Sequence, residues 1–403
     1  MRNTAKGNFK SPTSREAGLK WQIATATALR LILNTARRFA YPFAPALSRG
    51  IQVPLTSITS LIAVNQISAI LGIAGGSLAD RWGYRRMMLA GLGLLVLGML
   101  AVGVWPYYLT VMLGLFLAGL AKSVFDPAVQ AYVGQRVAFA RRARAIGIME
   151  VSWAGSALIG LPLVGYVMAH QGWSAPFWYL GILGFAGLLY LARVIPKTSH
   201  PEPQHSPVQW RRTARQLMRE RPALGLLGYG FWMSLGNDQL FVVLGAWLEH
   251  DFQVSLVSLG LSTSVIGLAE LSGEGLTALL GDRVGLKRAI ICGSVCAMGA
   301  YQVLNLLDGS LGLALVSLFI LFLSFEFSIV SSISLSTEVL PQARATMLAA
   351  FYAAAGIGRM TGAFLGGQVW SYGGLPAVCI TSTLVSVLGL ISFWWGNRLP
   401  NPN

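Results

Sequence analysis

The sequence of 403 residues carries little charge: Asp, Glu, Lys and Arg make up only 11% of it. Soluble domains carry about a quarter of their residues as charged side chains. Cysteine and histidine are also scarce, at three and four residues, so the sequence predicts neither a disulfide framework nor a metal centre. No Gly-x4-Gly-Lys-Ser/Thr phosphate loop is present. These shortages argue against a soluble enzyme, against a bound cofactor and against ATP hydrolysis by this chain.

Apolar residues dominate instead, at 54% of the chain, and there are 46 glycines and 12 tryptophans. Glycine is more frequent in transmembrane helices than in soluble ones, and tryptophan collects at the membrane interface. A spanning helix needs about 20 apolar residues. Cutting the sequence at its charged or proline-rich breaks gives twelve such stretches, so we predict an all-α integral membrane protein. The predicted spans are 23–46, 52–78, 87–105, 107–133, 145–169, 174–193, 223–247, 255–280, 289–306, 311–338, 345–370 and 375–395.

The 30 Lys and Arg residues give a formal net charge of +15. Their positions argue against nucleic-acid binding, because they cluster in the connections after spans 2, 4, 6 and 8, whereas the alternate connections hold Arg49 alone. Such a bias marks the cytoplasmic side. We therefore expect a multi-pass protein of the plasma membrane or bacterial inner membrane, with both termini in the cytoplasm.

The same pattern predicts five segments along the chain. The linker carries Arg211, Arg215 and Arg219 on one helical face, which favours contact with anionic lipid; a solvated linker is the alternative. The basic start lacks the apolar core of a signal peptide. The segments are a cytoplasmic tail at 1–22, a six-helix bundle at 23–193, a cytoplasmic linker with an amphipathic basic helix at 194–222, a second bundle at 223–395 and a tail at 396–403.

An internal repeat relates the two predicted bundles. The run from Ala79 to Arg86 after span 2 has an echo from Gly281 to Arg288 after span 8, about half the chain length away. Two six-helix halves in parallel repeat, related by a pseudo-twofold axis, are typical of transporters that rock about a midplane site. A monomer is expected, with the lipid bilayer, a small solute and protons as its partners.

The first run, Gly76-Ser77-Leu78-Ala79-Asp80-Arg81-Trp82-Gly83-Tyr84-Arg85-Arg86, resembles the motif between helices 2 and 3 of the major facilitator superfamily. The resemblance implies twelve helices, alternating access and a cytoplasmic gate. Tyr84 replaces an arginine of the motif that usually pairs with an acid near Asp126, so Arg85 or Arg136 would have to take that role. The gate residues implied are Gly76, Asp80, Arg81, Gly83, Arg85, Asp126, Asp282, Arg283 and Gly285.

Polar and charged residues inside the spans are costly and tend to face a cavity or a partner. Arg37 and Arg38 point about 100° apart on a helix, so one is expected to face the cavity and the other a neighbouring helix. Lys122 and Asp126, four residues apart, are expected to neutralise each other, and Arg30 is expected to snorkel to the interface. The predicted cavity or substrate residues are Asn34, Arg37, Asn237, Asp238 and Arg359.

Two carboxylates, Glu270 and Glu326, are the predicted proton-coupling groups. Glu270 shares a helical face with Glu274, and two carboxylates this close in a membrane interior favour a shared proton. Static ion pairs that lock helices together are the alternative interpretation.

The sequence therefore predicts a secondary transporter of a small solute, proton-coupled and directed outward. A partial likeness of Gly160 to Gly165 to the helix 5 motif of drug/proton antiporters favours efflux. An anion or metabolite uptake system is the alternative, since Arg37, Arg38 and Arg359 are able to clamp a carboxylate or phosphate. A more remote alternative is a transport-inactive sensor or a polytopic membrane enzyme.

Overall fold

The computed structural model describes residues 12–137, 139–196, 217, 219–306, 309–340 and 344–398. Side chains are described there except at 12–17, 69–81, 139, 140, 142–144, 146, 282 and 345. The described chain is helical and contains no strand, which confirms the predicted class.

Within the described residues, twelve helices follow one another close to the predicted spans. Long helices are expected here because the backbone has no partner but itself within a membrane. They are α1 (Pro12–Arg38, continued by Ala44–Ile51), α2 (Leu55–Trp82), α3 (Tyr84–Val104), α4 (Tyr108–Arg136), α5 (Phe139–Gly155 and Leu161–Gln171), α6 (Ala175–Val194), α7 (Arg221–Phe252), α8 (Leu256–Val284), α9 (Leu286–Leu306) and α10 (Leu311–Val339), then α11 (344–372) and α12 (375–397) within Arg344–Asn397. The break in the last stretch lies at Gly373 and Gly374, whose backbone angles are not helical.

Eight of the described helices are long and apolar enough to cross a membrane, and one of these, Thr346–Asn397, contains two predicted spans. Residues 12–22 of the predicted tail at 1–22 belong to α1. The rest of that tail, and most of the tail at 396–403 and of the linker at 194–222, lie outside the described residues. Those boundaries stay predictions.

Two irregular turns interrupt helices at mid-depth. Residues 39–43 form turns between the two parts of α1, where Pro42 has no N–H to donate to a helix. In α5 a π-helical turn, Ser156–Gly160, precedes Pro162. Turns of this kind inside helices are frequent at functional sites, and both lie next to charged side chains described below.

The two halves, α1–α6 and α7–α12, contact each other most closely at the end of the bundle remote from the termini, which we call the outer end. There Gly245 of α7 faces the carbonyl oxygen of Pro42, and Gly367 of α11 faces Thr59 of α2. Arg49 donates two hydrogen bonds to Glu249, of 2.7 and 3.2 Å. Towards the opposite, inner end the side chain of Glu150 is partly exposed and Tyr352 is exposed.

Candidate substrate and coupling site

An ion pair in the middle of the bundle joins the two halves. Arg38 of α1 donates two hydrogen bonds to Glu270 of α8, of 2.7 and 3.0 Å, and the two residues are only 3% and 5% exposed. The guanidinium lies over the ring of Trp153, with its carbon 4.2 Å from the ring centroid, and donates to the Trp153 carbonyl at 3.2 Å. Because the π-helical turn of α5 begins three residues later, that carbonyl lies at an irregular part of the helix. Of the adjacent arginines Arg37 and Arg38, Arg38 is therefore the one that faces a neighbouring helix, which belongs to the other half.

A second polar connection between the halves is a chain of three hydrogen bonds. Arg37 donates to Gln66 at 2.5 Å, Gln66 donates to the Tyr41 hydroxyl, and Tyr41 donates to Asp238 at 2.9 Å. In each of these hydrogen bonds the donor lies on the Arg37 side and the acceptor on the Asp238 side. A cation on α1 is therefore linked through α2 to a carboxylate on α7. The chain places Arg37 and Asp238, both predicted cavity residues, in one network.

The other predicted centres lie close by but outside any ion pair. Among the described side chains, no carboxylate lies within 4.0 Å of the Arg359 guanidinium and no cation within 4.0 Å of Glu326. Arg359 approaches Trp153, at 6.0 Å from the ring centroid, and interacts electrostatically with Asp238 and Glu326. Glu326 is half-buried. The two residues are thus free to respond to a ligand or a proton.

The predicted amide residues are buried and incompletely satisfied. Asn34 donates to the Ser152 hydroxyl at 3.2 Å, but the side-chain oxygens of Asn34 and Asn237 have no hydrogen-bond partner among the described side chains. Unpaired buried polar atoms are uncommon in folded proteins. These two oxygens are therefore available as acceptors within the interior.

A separate cluster of four charges lies inside the first half; it corrects one prediction and confirms another. Arg30 is 2% exposed and binds Asp126 and Glu150, each through two hydrogen bonds of 3.0 to 3.3 Å. It does not snorkel, because two carboxylates neutralise it within the bundle. Lys122 binds Asp126 at 2.5 Å, and this predicted neutralisation is confirmed.

Asp126 consequently lacks the loop partner expected for a gate residue. Arg85 donates instead to the Ala192 carbonyl at 2.6 Å, and Arg136 lies over the Tyr132 ring. The expectation that Arg85 or Arg136 would pair with Asp126 is wrong. Asp126 points into the bundle, where it pairs with Lys122, one turn away on α4, and with Arg30 of α1.

The repeated motif retains a common backbone geometry at its glycines. Gly83 and Gly285 have φ values of +86° and +85°, a region that favours glycine. Arg283 is exposed. The side chains of Gly76, Asp80, Arg81 and Asp282 lie outside the described part, so the gate stays a prediction.

Sequence reasoning missed Tyr41, Gln66 and Trp153. Gln66 was detectable, since an amide within an apolar span is costly. Nothing in the sequence distinguishes Tyr41 or Trp153 from the other aromatic residues of the chain, because their importance depends on helices far away in sequence.

Comparison with known families gives a match over nearly the whole chain. The family model described as Major Facilitator Superfamily matches residues 27–237 and 224–403. An uncharacterized MFS-type transporter of Bacillus subtilis, YceJ, is 25% identical over 74% of this chain and 76% of its own length. The multidrug resistance protein MdtG of Yersinia enterocolitica is 26% identical over 83% and 81%.

Solved structures share the fold at low sequence identity. A bacterial homologue of the human lysosomal transporter Spinster, in an inward-facing and unoccupied conformation, has a TM-score of 0.73 at 14% identity, covering 94% of this chain and 96% of that one. A mutant peptide transporter in complex with alafosfalin has a TM-score of 0.76 at 15% identity, covering 96% and 95%.

Proposed function

The chain belongs to the major facilitator superfamily, a family of membrane transporters and not of enzymes, and we propose that it exports a small solute in exchange for protons by alternating access. Substrate residues in this proposal are Asn34, Arg37, Asn237, Asp238 and Arg359, and the proton-coupling residues are Glu270 and Glu326. The inner membrane of a bacterium, with both termini in the cytoplasm, is the proposed location.

The buried pair of Arg38 and Glu270 carries this proposal. It crosses from one half of the bundle to the other, so the halves cannot separate at this depth without breaking it. Breaking a buried pair while both groups stay charged is strongly unfavourable. A proton on Glu270 removes its charge, and the conformational change then becomes accessible.

Glu326 supplies a second carboxylate near the same place. It interacts electrostatically with Glu270 and with Arg359, yet it has no described cation within 4.0 Å. In our proposal a proton passes between Glu326 and Glu270 as the halves rock, so that one conformation holds the Arg38 pair and the other releases it.

The arrangement of the halves supports an inward-facing conformation. The contacts of Pro42 with Gly245 and of Arg49 with Glu249 close the outer end, while Glu150 and Tyr352 are accessible towards the inner end. An exporter takes its substrate from the cytoplasm in this state. The name of the Yersinia relative, a multidrug resistance protein, also favours export.

Inverted bacterial membrane vesicles test the proposal. Respiration acidifies their interior, and a pH-sensitive acridine dye reports the loss of the gradient when an added compound is exchanged for protons. We expect at least one of a series of cationic, neutral and anionic aromatic compounds to dissipate the gradient in wild-type vesicles. Glu270→Gln and Glu326→Gln should reduce that response to the level of vesicles without the protein, because neither amide binds the proton.

Asp251→Asn is the matched control, since it removes an exposed carboxylate that pairs with His250 of the same helix, and it should keep the response. Normal proton exchange in both Glu270→Gln and Glu326→Gln vesicles would contradict coupling through these residues. If no compound of the series produced exchange with the wild-type protein, proton-coupled export of such solutes would be contradicted.

A further inference from the structure

The interior charges of the described bundle do not all find partners. Arg38 is paired with Glu270, and Arg30 and Lys122 are paired within the first half. Two cations remain: none of the described carboxylates lies within 4.0 Å of Arg37 or Arg359. A charge in the interior of a membrane protein is costly unless it faces a partner or a cavity.

Arg37 and Arg359 come from opposite halves and both lie in the neighbourhood of Asp238. Arg37 is 9% exposed and is linked to Asp238 through Gln66 and Tyr41. Arg359 is half-buried, and Gly362, one turn further along α11, lies beside the Asp238 side chain. Arg359 is oriented towards the ring of Trp153 in the first half, so it points between the halves and not towards lipid. An anion bound between two like charges at a domain interface would lower their mutual repulsion.

We infer that Arg37 and Arg359 bind the negative group of the transported substrate and that this substrate is an organic anion. The inference rests on the proposed function and specifies its substrate class. Guanidinium groups recognise carboxylates and phosphates through paired hydrogen bonds. Of the hydrogen bonds among the described residues, Arg37 donates only one, to Gln66, so it retains donors for a ligand.

The surrounding side chains favour an organic anion over an inorganic one. The Trp153 ring lies beside both Arg359 and Arg38, buried Tyr41 stacks on Phe241 with ring centroids 4.7 Å apart, and Phe322 packs on Phe241 at 5.7 Å. Aromatic walls beside a few fixed polar groups are typical of sites for amphipathic small molecules. The negative group would lie at the arginines and the apolar body against these rings.

Asp238 does not cancel the two positive charges. It accepts the hydrogen bond of Tyr41 and stays more than 4.0 Å from both guanidinium groups. Glu326 likewise has no described cation within 4.0 Å, so neither carboxylate occupies the hydrogen-bond donors of the two guanidinium groups. An exported anion also moves down a membrane potential that is negative inside, so the substrate class agrees with the proposed direction.

Ligand-induced stabilisation tests the inference without any ion gradient, which keeps it separate from the transport test. Wild-type protein in lipid nanodiscs is heated with benzoate, 1-naphthoate or benzyl phosphate, and with the matched cation 1-naphthylmethylammonium and the neutral benzyl alcohol, at equal ionic strength. A ligand that binds the folded state raises its melting temperature. We expect at least one anion to raise the melting temperature, and we expect no increase with the cation or with the neutral compound.

The variants then assign the site. Arg37→Gln and Arg359→Gln should each remove the anion-induced shift, whereas Arg359→Lys should retain part of it because the charge remains. Arg49→Gln, which removes an exposed arginine at the outer end, is the control. The melting temperature without ligand shows whether each variant is folded. If Arg359→Gln is not folded, a smaller anion-induced shift in Arg359→Lys than in the wild type still tests the role of Arg359.

Three outcomes would overturn the inference: no anion of the series stabilises the wild-type protein, the cation stabilises it better than its matched anion, or folded variants lacking Arg37 or Arg359 respond as the wild type does. A positive result here combined with no proton exchange in vesicles would leave the anion site intact and remove only the proposed coupling.

Discussion

Glu270→Gln should destabilise the protein by about 3–5 kcal/mol, the usual cost of removing one partner of a buried ion pair. The change leaves the Arg38 guanidinium at 3% exposure without a counter-charge, in contact with uncharged groups such as the ring and carbonyl of Trp153 and the Ser156 hydroxyl. Arg38→Gln should have a smaller effect, because Glu270 is then able to bind a proton and become neutral. Unfolding of the purified variants in increasing amounts of dodecyl sulfate measures both changes.

The double variant Arg38→Met with Glu270→Leu separates stability from transport. Replacing a buried pair by apolar residues of similar size is often neutral or stabilising, so this protein should unfold close to the wild type. It should nevertheless be inactive in the vesicle assay, because no titratable link between the halves remains at that position. A double variant that exchanged protons normally would show that the pair has only a structural role.

Arg49→Gln provides the comparison with an exposed pair. Arg49 is exposed at the outer end, although it makes two hydrogen bonds to Glu249, and such pairs contribute about 0–1 kcal/mol. Equal effects of Arg49→Gln and Glu270→Gln on unfolding would contradict the difference in burial on which the expectation rests.

The sequence was sufficient to predict the helices, because long apolar stretches between charged connections have one simple solution in a membrane. It also predicted the neutralisation of Lys122 by Asp126, since residues four apart on a helix are neighbours whatever the tertiary structure. The interior position of Arg37, Asp238 and Glu270 followed from the cost of exposing charge to lipid.

Pairing between distant helices was beyond such reasoning. These helices are apolar on most of their circumference, so the sequence does not tell how each is rotated about its axis. Whether Arg37 or Arg38 meets Glu270 depends on that rotation and on the turns at 39–43. For the same reason Arg30, placed at the interface by its position near the start of α1, proved to lie between Asp126 and Glu150.

The outer contact offers the most direct test of alternating access. A Cβ atom at position 245 would overlap the carbonyl oxygen of Pro42 in the opposite half, and backbone cannot move aside as a side chain does. Gly245→Ala should therefore raise the free energy of the conformation closed at the outer end by about 1–3 kcal/mol, as overpacking does. A change of about that size alters the ratio of two conformations about 5- to 150-fold, in favour of the outward-open state.

Spin labels on the two halves measure the shift. Tyr107, just before α4, and Tyr372, at the end of α11, are exposed at the outer end and suit replacement by cysteine, once the three native cysteines have been changed to serine. The distance distribution between the labels should gain a longer component in Gly245→Ala.

Gly275→Ala is the matched control for this shift, because it makes the same change inside α8 at a position where a Cβ meets nothing within 4 Å. Both substitutions raise helix propensity equally, so a difference between them isolates the contact with Pro42. If the distributions of Gly245→Ala and Gly275→Ala were the same, the outer ends would have to adapt around the added methyl group, and closure there would not depend on the close approach of α1 and α7.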